Sequence, residues 1–272
     1  MLRSRNLFAG LSAVVLVFTV GCSGPNKSDG EVFRYPLTTG DAWQYQRAFV
    51  SRDLQGEKLD TMDIYQLSVR VAGKDSMRVS PPAMRIHAEL REGSRIWGAE
   101  AIYQNKIDGL YCLALSDTGH ATFHARPKGR PNSHLGLTEV WPLPCVVSGL
   151  GSGDNAQTAH SSGWTWYDPP LLVLRYPLEG KWRYRDAEGP EPSVTIDKEV
   201  LGRDTIGVPA GAFDCYEIAW RYNGVAGVEA IEHVTTTGLV RRAFRVLLSD
   251  PDSTEVTDIT ELLHYTPGRI AK

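Results

Sequence analysis

The feature that most constrains the fold is an alternation of side-chain character at every second residue. It is clearest in residues 213–222 (FDCYEIAWRY), where one face carries Tyr216, Ile218, Trp220 and Tyr222. The opposite face carries Cys215, Glu217, Ala219 and Arg221. A β-strand turns successive side chains to opposite sides, so this segment is predicted to be a strand with one aromatic, buried face.

The same period recurs along most of the chain. It is found in residues 64–71, 84–90, 95–103, 109–115, 239–248 and 255–265. The linker NKIDG at 105–109 is typical of a hairpin connection. No long segment has a convincing helical period. The sequence therefore predicts an all-β, mainly antiparallel fold with few helices.

Two stretches of the sequence resemble one another. Residues 34–46 read RYPLTTGDAWQYQ and residues 175–185 read RYPLEGKWRYR. Each is predicted to be an extended segment, a tight turn and a strand whose Trp and Tyr share a face. The echo suggests two similar β units, at 34–125 and 171–267, although a chance similarity would look the same.

Residues 126–170 separate these two units and are rich in Gly, Pro, Ser and Asn. We interpret them as an irregular crossover. Loops of this length are commonly functional, but a plain linker is the favoured interpretation.

The amino terminus has the order of an export signal. Arg3 and Arg5 precede an uncharged, mostly apolar run at 7–20, and Gly21 stands before Cys22. That run is shorter than the ~20 residues of a comfortable membrane span. The ending TVGC resembles the bacterial lipoprotein signal, although Thr19 stands where leucine is usual. Residues 1–21 are therefore predicted to be a signal peptide, and residues 22–33 a flexible tether.

The lipoprotein resemblance implies that acyl chains on Cys22 anchor the protein to a membrane. Two or more chains make such an anchor stable. Ser23 follows the cysteine, whereas an Asp at that position tends to retain lipoproteins at the inner membrane of enteric-type bacteria. The resemblance therefore favours the periplasmic face of an outer membrane.

A second resemblance concerns the folded part. Residues 208–218 (VPAGAFDCYEI), the Tyr-Pro-Leu to Trp-x-Tyr segment at 35–45 and the Gly-Leu-Val-Arg strand at 238–242 resemble motifs of bacterial exported and lipid-anchored β proteins. These belong to domain-of-unknown-function groups and look like relatives of the lipoprotein-localisation proteins LolA and LolB. The resemblance implies a curved sheet that forms an open half-barrel. Independently of it, Pro209 and Gly211 are typical of a hairpin turn before the aromatic strand.

No pattern in the sequence predicts catalysis, and we expect neither a metal nor another cofactor. A net charge of −3 gives no electrostatic reason to expect nucleic-acid binding. Arg241, Arg242 and Arg245 are expected on an exposed strand face paired with neighbouring carboxylates, and contact with an anionic head group is the alternative. Oxidation after export allows one disulfide, for which Cys112 with Cys145 is the favoured pair and Cys215 is left in a strand, while three free and buried thiols are an equal alternative.

Two functions compete on these grounds. The concave side of the sheet, with Trp43, Trp182 and Trp220, is predicted to bind an apolar ligand or a lipid. Alternatively, the domain is a scaffold that docks another protein of the cell envelope. An enzyme is the least favoured option.

Overall fold

The structure is a computed structural model that describes residues 33–53, 59–76, 80–116, 122–125, 135–138, 164–186, 195–223, 227–247 and 254–269. These residues lie within one compact unit, Val32–Lys272. Within the described ranges, no helix has the length and apolar character needed to cross a membrane.

The described part of the chain contains fourteen strands, which follow one another in sequence order. In the first half they are β1 (Ala42–Asp53), β2 (Leu59–Lys74), β3 (Met84–Glu92), β4 (Arg95–Asn105), β5 (Gly109–Ser116), β6 (Thr122–Ala125) and β7 (Leu135–Thr138). In the second half they are β8 (Trp164–Arg175), β9 (Lys181–Asp186), β10 (Thr195–Val208), β11 (Gly211–Asn223), β12 (Val228–Thr235), β13 (Gly238–Leu247) and β14 (Thr254–Thr266).

Twelve of these strands form a single antiparallel sheet in the order β8-β5-β4-β3-β2-β1-β14-β13-β12-β11-β10-β9, and β6 pairs with β7 separately. The all-β antiparallel prediction is confirmed, and the described part of the chain contains no helix. The two predicted units contribute neighbouring strands to one sheet, and β1 joins them by pairing with β14. Residues 164–170, placed in the crossover by sequence, are the first half of β8.

The sheet is curved, as predicted, and it curls until it is nearly closed. Its edge strands β8 and β9 meet through side chains. The indole N–H of Trp182 donates to the carbonyl of Leu172 at 3.2 Å, and Arg175 Nη1 donates to the carbonyl of Lys181 at 3.2 Å. A short connection between the two strands therefore brings the ends of the sheet together.

The core lies on the concave inner face of the sheet. In β11, Ile218, Trp220 and Tyr222 are buried there, which confirms the predicted face. Cys215 and Ala219, on the opposite face, are also buried. The β10–β11 turn is the predicted hairpin, in which Val208 pairs with Gly211 and Gly211 has a φ of +132°.

Candidate binding site on the inner face of the sheet

The sequence motifs meet at one point of the inner face. The indole N–H of Trp43 donates to the carbonyl of Thr237 at 2.6 Å, and the phenol of Tyr45 donates to the carbonyl of Leu239 at 3.1 Å. The backbone N–H of Leu239 donates in turn to the phenol oxygen of Tyr35 at 3.2 Å. These bonds tie the amino-terminal segment and β1 to the start of β13, so this part of the Trp-x-Tyr motif is structural.

The second copy of the motif is tied to the first. The backbone N–H of Tyr35 donates to the phenol oxygen of Tyr176 at 3.0 Å, and the Tyr176 hydroxyl donates to Asn105 Oδ1 at 2.7 Å. Burial, the main cause, raises the pKa of Tyr176. The tyrosine of the second Tyr-Pro-Leu segment therefore fixes the path of the first.

The three predicted ligand-contacting tryptophans are all buried, but their surroundings differ. Trp43 stacks on Tyr265 with ring centroids 5.7 Å apart, and its N–H is bonded to Thr237. The N–H of Trp182 is used at the seam between β8 and β9. By contrast, the N–H of Trp220 has no hydrogen-bond partner in the described part of the chain. Among these three, Trp220 alone has an indole N–H that a ligand could engage without breaking a bond shown here.

Around Trp220 the sheet register assembles a group of polar side chains on the inner face. One cross-strand row contains Glu232, Arg242, Thr260 and Arg47, each directly opposite the next. The adjacent row contains Lys198, Trp220, Ala230, Phe244 and Asp258 in the same way. We call Arg47, Lys198, Glu232, Arg242, Asp258 and Thr260 the inner polar cluster.

Two ion pairs organise the inner polar cluster. Arg47 forms a bidentate salt bridge with Asp258. Its Nε donates to Oδ1 at 3.0 Å and its Nη2 to Oδ2 at 2.7 Å, and both side chains are 2% exposed. Lys198 Nζ lies 3.3 Å from Glu232 Oε2, and neither side chain is exposed. A buried charge is costly unless it is paired. These pairs therefore hold the charges in place.

Aromatic rings surround the lysine of the second pair. Lys198 Nζ lies 3.9 Å from the centroid of the Trp220 ring and 4.8 Å from that of Tyr184. A cation over an aromatic face is attracted by the ring quadrupole, more strongly when both are desolvated. Lys198 therefore occupies the face of the Trp220 ring and does not use the indole N–H, which lies at the ring edge.

Burial dominates the electrostatics of the cluster. It lowers the pKa of Arg242, against the opposing effect of Glu232 and Asp258. It also raises the pKa of Tyr222, which Glu232 raises further and Arg242 opposes. The phenol of Tyr222 therefore stays protonated and can donate a hydrogen bond within the cluster.

The buried polar atoms of this region that have no hydrogen-bond partner among the described residues include Trp220 Nε1, Tyr222 OH, Glu232 Oε1 and Thr260 Oγ1. Glu232 Oε1 lies 4.0 Å from Arg242 Nη1, which is an ion pair beyond hydrogen-bond distance. Buried polar groups in folded proteins are nearly always bonded, to protein or to another molecule. The region is therefore chemically able to receive a polar group.

Sequence reasoning missed this cluster, and for Arg242 the expectation was wrong. Arg241 and Arg245 lie on the outer face, where Arg241 pairs with Glu261 at 3.4 Å. Arg242, between them, turns inward and is 1% exposed. The available signal was strand phase, because Arg242 alternates with the buried Phe244.

The predicted cysteine sites fall in different places. Cys22 and Cys145 lie outside the residues that the structure describes. Cys112 is fully buried, with its sulfur 3.7 Å from the carbonyl of Ala114. Burial raises its pKa above the ordinary thiol value. The lipidation of Cys22 and the pairing of Cys112 with Cys145 stay predictions.

Comparison with protein-family models gives no match, and comparison with curated proteins gives none either. Two solved structures are similar in fold. A Bacteroides fragilis protein proposed to be exported, with a YmcC-like fold, matches 87% of this chain and 100% of its own at 13% identity and a TM-score of 0.39. A protein proposed to be a lipoprotein, from Parabacteroides distasonis, matches 86% of this chain and 99% of its own at 14% identity and a TM-score of 0.33. At these values neither likeness indicates a function for this chain.

Proposed function

We propose that this protein is an exported lipoprotein, held to a membrane by acyl chains on Cys22, whose curled sheet binds an apolar or amphiphilic ligand without catalysis. The observation that carries the binding function is the group of unpartnered polar atoms around Trp220 on the inner face. The periplasmic face of an outer membrane is the proposed location. Export and anchoring are supported by the basic start, the apolar run and the Gly21-Cys22 junction.

The inner face is suited to holding a ligand rather than transforming it. Arg47 and Lys198 are engaged by Asp258 and Glu232. Side chains that engage each other in buried ion pairs are held in place and are not free to act on a ligand. We therefore expect binding without turnover.

Mass spectrometry of the native protein extracted from membranes tests the proposal. We expect an amino terminus at Cys22 with a diacylglycerol and an N-acyl chain, and a co-purifying ligand in a stoichiometric amount. Cys22→Ser is the matched control for the anchor and should lose the acyl mass. An unprocessed chain would refute the anchoring, and a ligand-free protein from every extraction would refute the binding function.

The location is tested by the residue after the cysteine. Membranes of the native host are separated by density after expression of the original chain and of Ser23→Asp. We expect the original chain in the outer-membrane fraction and the variant in the inner-membrane fraction. Inner-membrane location of both chains would contradict the outer-membrane proposal and leave the binding function untouched.

The alternative function is docking of another envelope protein, and the outer face of the sheet favours it. An aliphatic row crosses six neighbouring strands there: Ala219, Ile231, Ala243, Ile259, Ala48 and Ile64. Charged pairs such as Arg241–Glu261 and Arg245–Glu229 lie in the rows on its two sides. An apolar stripe with a polar rim is typical of a protein contact.

Ile64, 58% exposed in this row, is the residue to test, and Ile107, 86% exposed in the β4–β5 turn, is its control. A stoichiometric envelope protein captured from detergent-solubilised membranes should be lost with Ile64→Asp and kept with Ile107→Asp. Equal capture of the envelope protein by Ile64→Asp and Ile107→Asp would refute docking through the outer aliphatic row.

A further inference from the structure

The unpartnered atoms of the inner face lie close to one another on neighbouring strands. Trp220 in β11 is opposite Ala230, and two residues further along β12 is Glu232. Glu232 is opposite Arg242, which is opposite Thr260. All three side chains with unpartnered atoms are at least 98% buried, and Tyr222 is 8% exposed.

Tyr222 lies next to Trp220 and belongs to the same group of buried side chains. Its ring stacks on that of Trp220 with centroids 6.3 Å apart, and it lies edge-on to the ring of Phe244 at 6.0 Å. Ala230, the smallest side chain in the row, separates Trp220 from Phe244. The register therefore places Trp220 opposite Ala230, with Tyr222 and Glu232 two residues from them along β11 and β12.

The donors and acceptors of these atoms define the chemistry of a partner. An indole N–H only donates, and an ionised carboxylate oxygen such as Glu232 Oε1 only accepts. The hydroxyls of Tyr222 and Thr260 can do either. A carboxylate ligand would leave Glu232 without a donor, and an ammonium would leave Trp220 without an acceptor. A hydroxyl group satisfies both, because it donates and accepts.

The surroundings of the cluster add an apolar requirement. In the direction of Tyr222 along the strands, the inner face continues with buried Val228, Val246 and Val256. These side chains belong to the same hydrophobic core as Trp220 and Phe244. A ligand that places a polar head at Trp220 would therefore have its remaining part among apolar side chains.

We propose that the inner polar cluster, with Trp220 and Tyr222, recognises the hydroxyl-bearing head group of an amphiphile of the monoacylglycerol class. Trp220 Nε1 donates to a hydroxyl oxygen, and that hydroxyl donates to Glu232 Oε1. Tyr222 and Thr260 bond the neighbouring hydroxyl, and the acyl chain lies along the valines. This inference rests on the proposed binding function and names the ligand class for that site.

Three probes with one acyl chain test the head group: monolauroylglycerol, laurate and methyl laurate. The lipid-anchored full chain is placed in phosphatidylcholine nanodiscs with each probe at equal mole fraction, and native mass spectrometry measures the bound fraction. We expect monolauroylglycerol to be retained at least tenfold better than methyl laurate, with laurate below monolauroylglycerol. A hydrogen-bonding site discriminates in this way because its buried groups stay unpaired with the wrong ligand.

Variants distinguish recognition of the head group by the protein hydroxyls from non-specific apolar binding. Tyr222→Phe and Thr260→Val should each lower retention of monolauroylglycerol about tenfold and leave methyl laurate unchanged. Tyr45→Phe is the matched control, because the Tyr45 hydroxyl is buried on the same face but bonded to Leu239. In Tyr45→Phe, the ratio of monolauroylglycerol retention to methyl laurate retention should equal that of the original protein. Without ligand, Tyr222→Phe and Thr260→Val should keep or raise the melting temperature, whereas Tyr45→Phe should lower it.

The outcomes distinguish the two proposals. Equal retention of the three probes overturns the head-group inference and leaves apolar binding intact. Retention of none overturns both. A crystal structure in which ordered water alone bonds the four atoms, with monolauroylglycerol present in excess, also overturns the head-group inference. The probe comparison needs only the original protein, so it stands even where a variant fails to fold.

Discussion

Replacement of Gly238 by alanine tests whether the meeting point of the sequence motifs stabilises the fold. Gly238 begins β13 with a φ of +112°, a conformation that side chains with a Cβ rarely adopt. A Cβ built there would lie 2.7 Å from Trp43 Nε1 and 3.1 Å from the Tyr35 hydroxyl. Both rings are 1% exposed, so neither can move aside without disturbing the core.

The cost has two parts. The backbone conformation costs about 1–3 kcal/mol for a residue other than glycine. Displacement of Trp43 and Tyr35 weakens the bonds from Trp43 to the Thr237 carbonyl and from the Leu239 N–H to Tyr35, each worth about 1 kcal/mol. We expect Gly238→Ala to lower the free energy of unfolding by about 3–5 kcal/mol in total.

Gly73 provides a control for the backbone part. It has a φ of +150°, and a Cβ there would have no atom within 4 Å. Gly73→Ala should therefore cost strain alone, about 1–3 kcal/mol. Urea unfolding followed by tryptophan fluorescence measures both variants. A loss for Gly238→Ala no larger than that for Gly73→Ala would refute the proposed role of the Trp43 and Tyr35 contacts.

Three further predictions concern buried groups. Lys198→Met should destabilise the protein by about 3–5 kcal/mol in urea unfolding, because it leaves the buried carboxyl group of Glu232 without its lysine; a loss below 1 kcal/mol would contradict this role for the pair. Burial lowers the pKa of His233, with Arg241 adding to the effect and Glu217 opposing it. The folded protein therefore binds a proton at His233 less readily than the unfolded chain does. The stability that neutral His233 contributes is fully present above pH ~6.5, and it is lost as the pH falls from there toward the lowered pKa of the folded state. His233→Gln should show a smaller drop in urea midpoint between pH 7.5 and 5.5, and an unchanged drop would count against it. Burial, with help from Asp214 and Asp204, raises the pKa of Cys215 to about 12; iodoacetamide at pH 7.5 should label it only after unfolding, whereas rapid labelling of the folded protein would show that the site opens.

Local sequence was sufficient for the strands and their faces. The alternation in β11 correctly placed Ile218, Trp220 and Tyr222 together, because side-chain direction in a strand depends only on position along the chain. The hairpin at Pro209 and Gly211 was predictable for the same reason, since a tight turn is set by the residues within it.

Arg242 shows where local reasoning failed. The charge of the residue argued for an exposed face, and the strand phase argued for the interior. The strand phase decided the orientation of Arg242, because an inward arginine is tolerated when other strands hold carboxylates such as Glu232 and Asp258 nearby. The need for those partners cannot be seen in a single strand.

The sequence by itself determined that the chain forms β-strands with one apolar face, and it supplied the predicted address at Cys22. Only the tertiary structure decided that β1 pairs with β14, which brings Arg47 to Asp258 across 211 positions of sequence. Strand pairing at such distance depends on which edges and registers bury the most surface and satisfy the most polar groups together. The candidate site exists only where six strands meet in register, so its chemistry became visible only once that register was known.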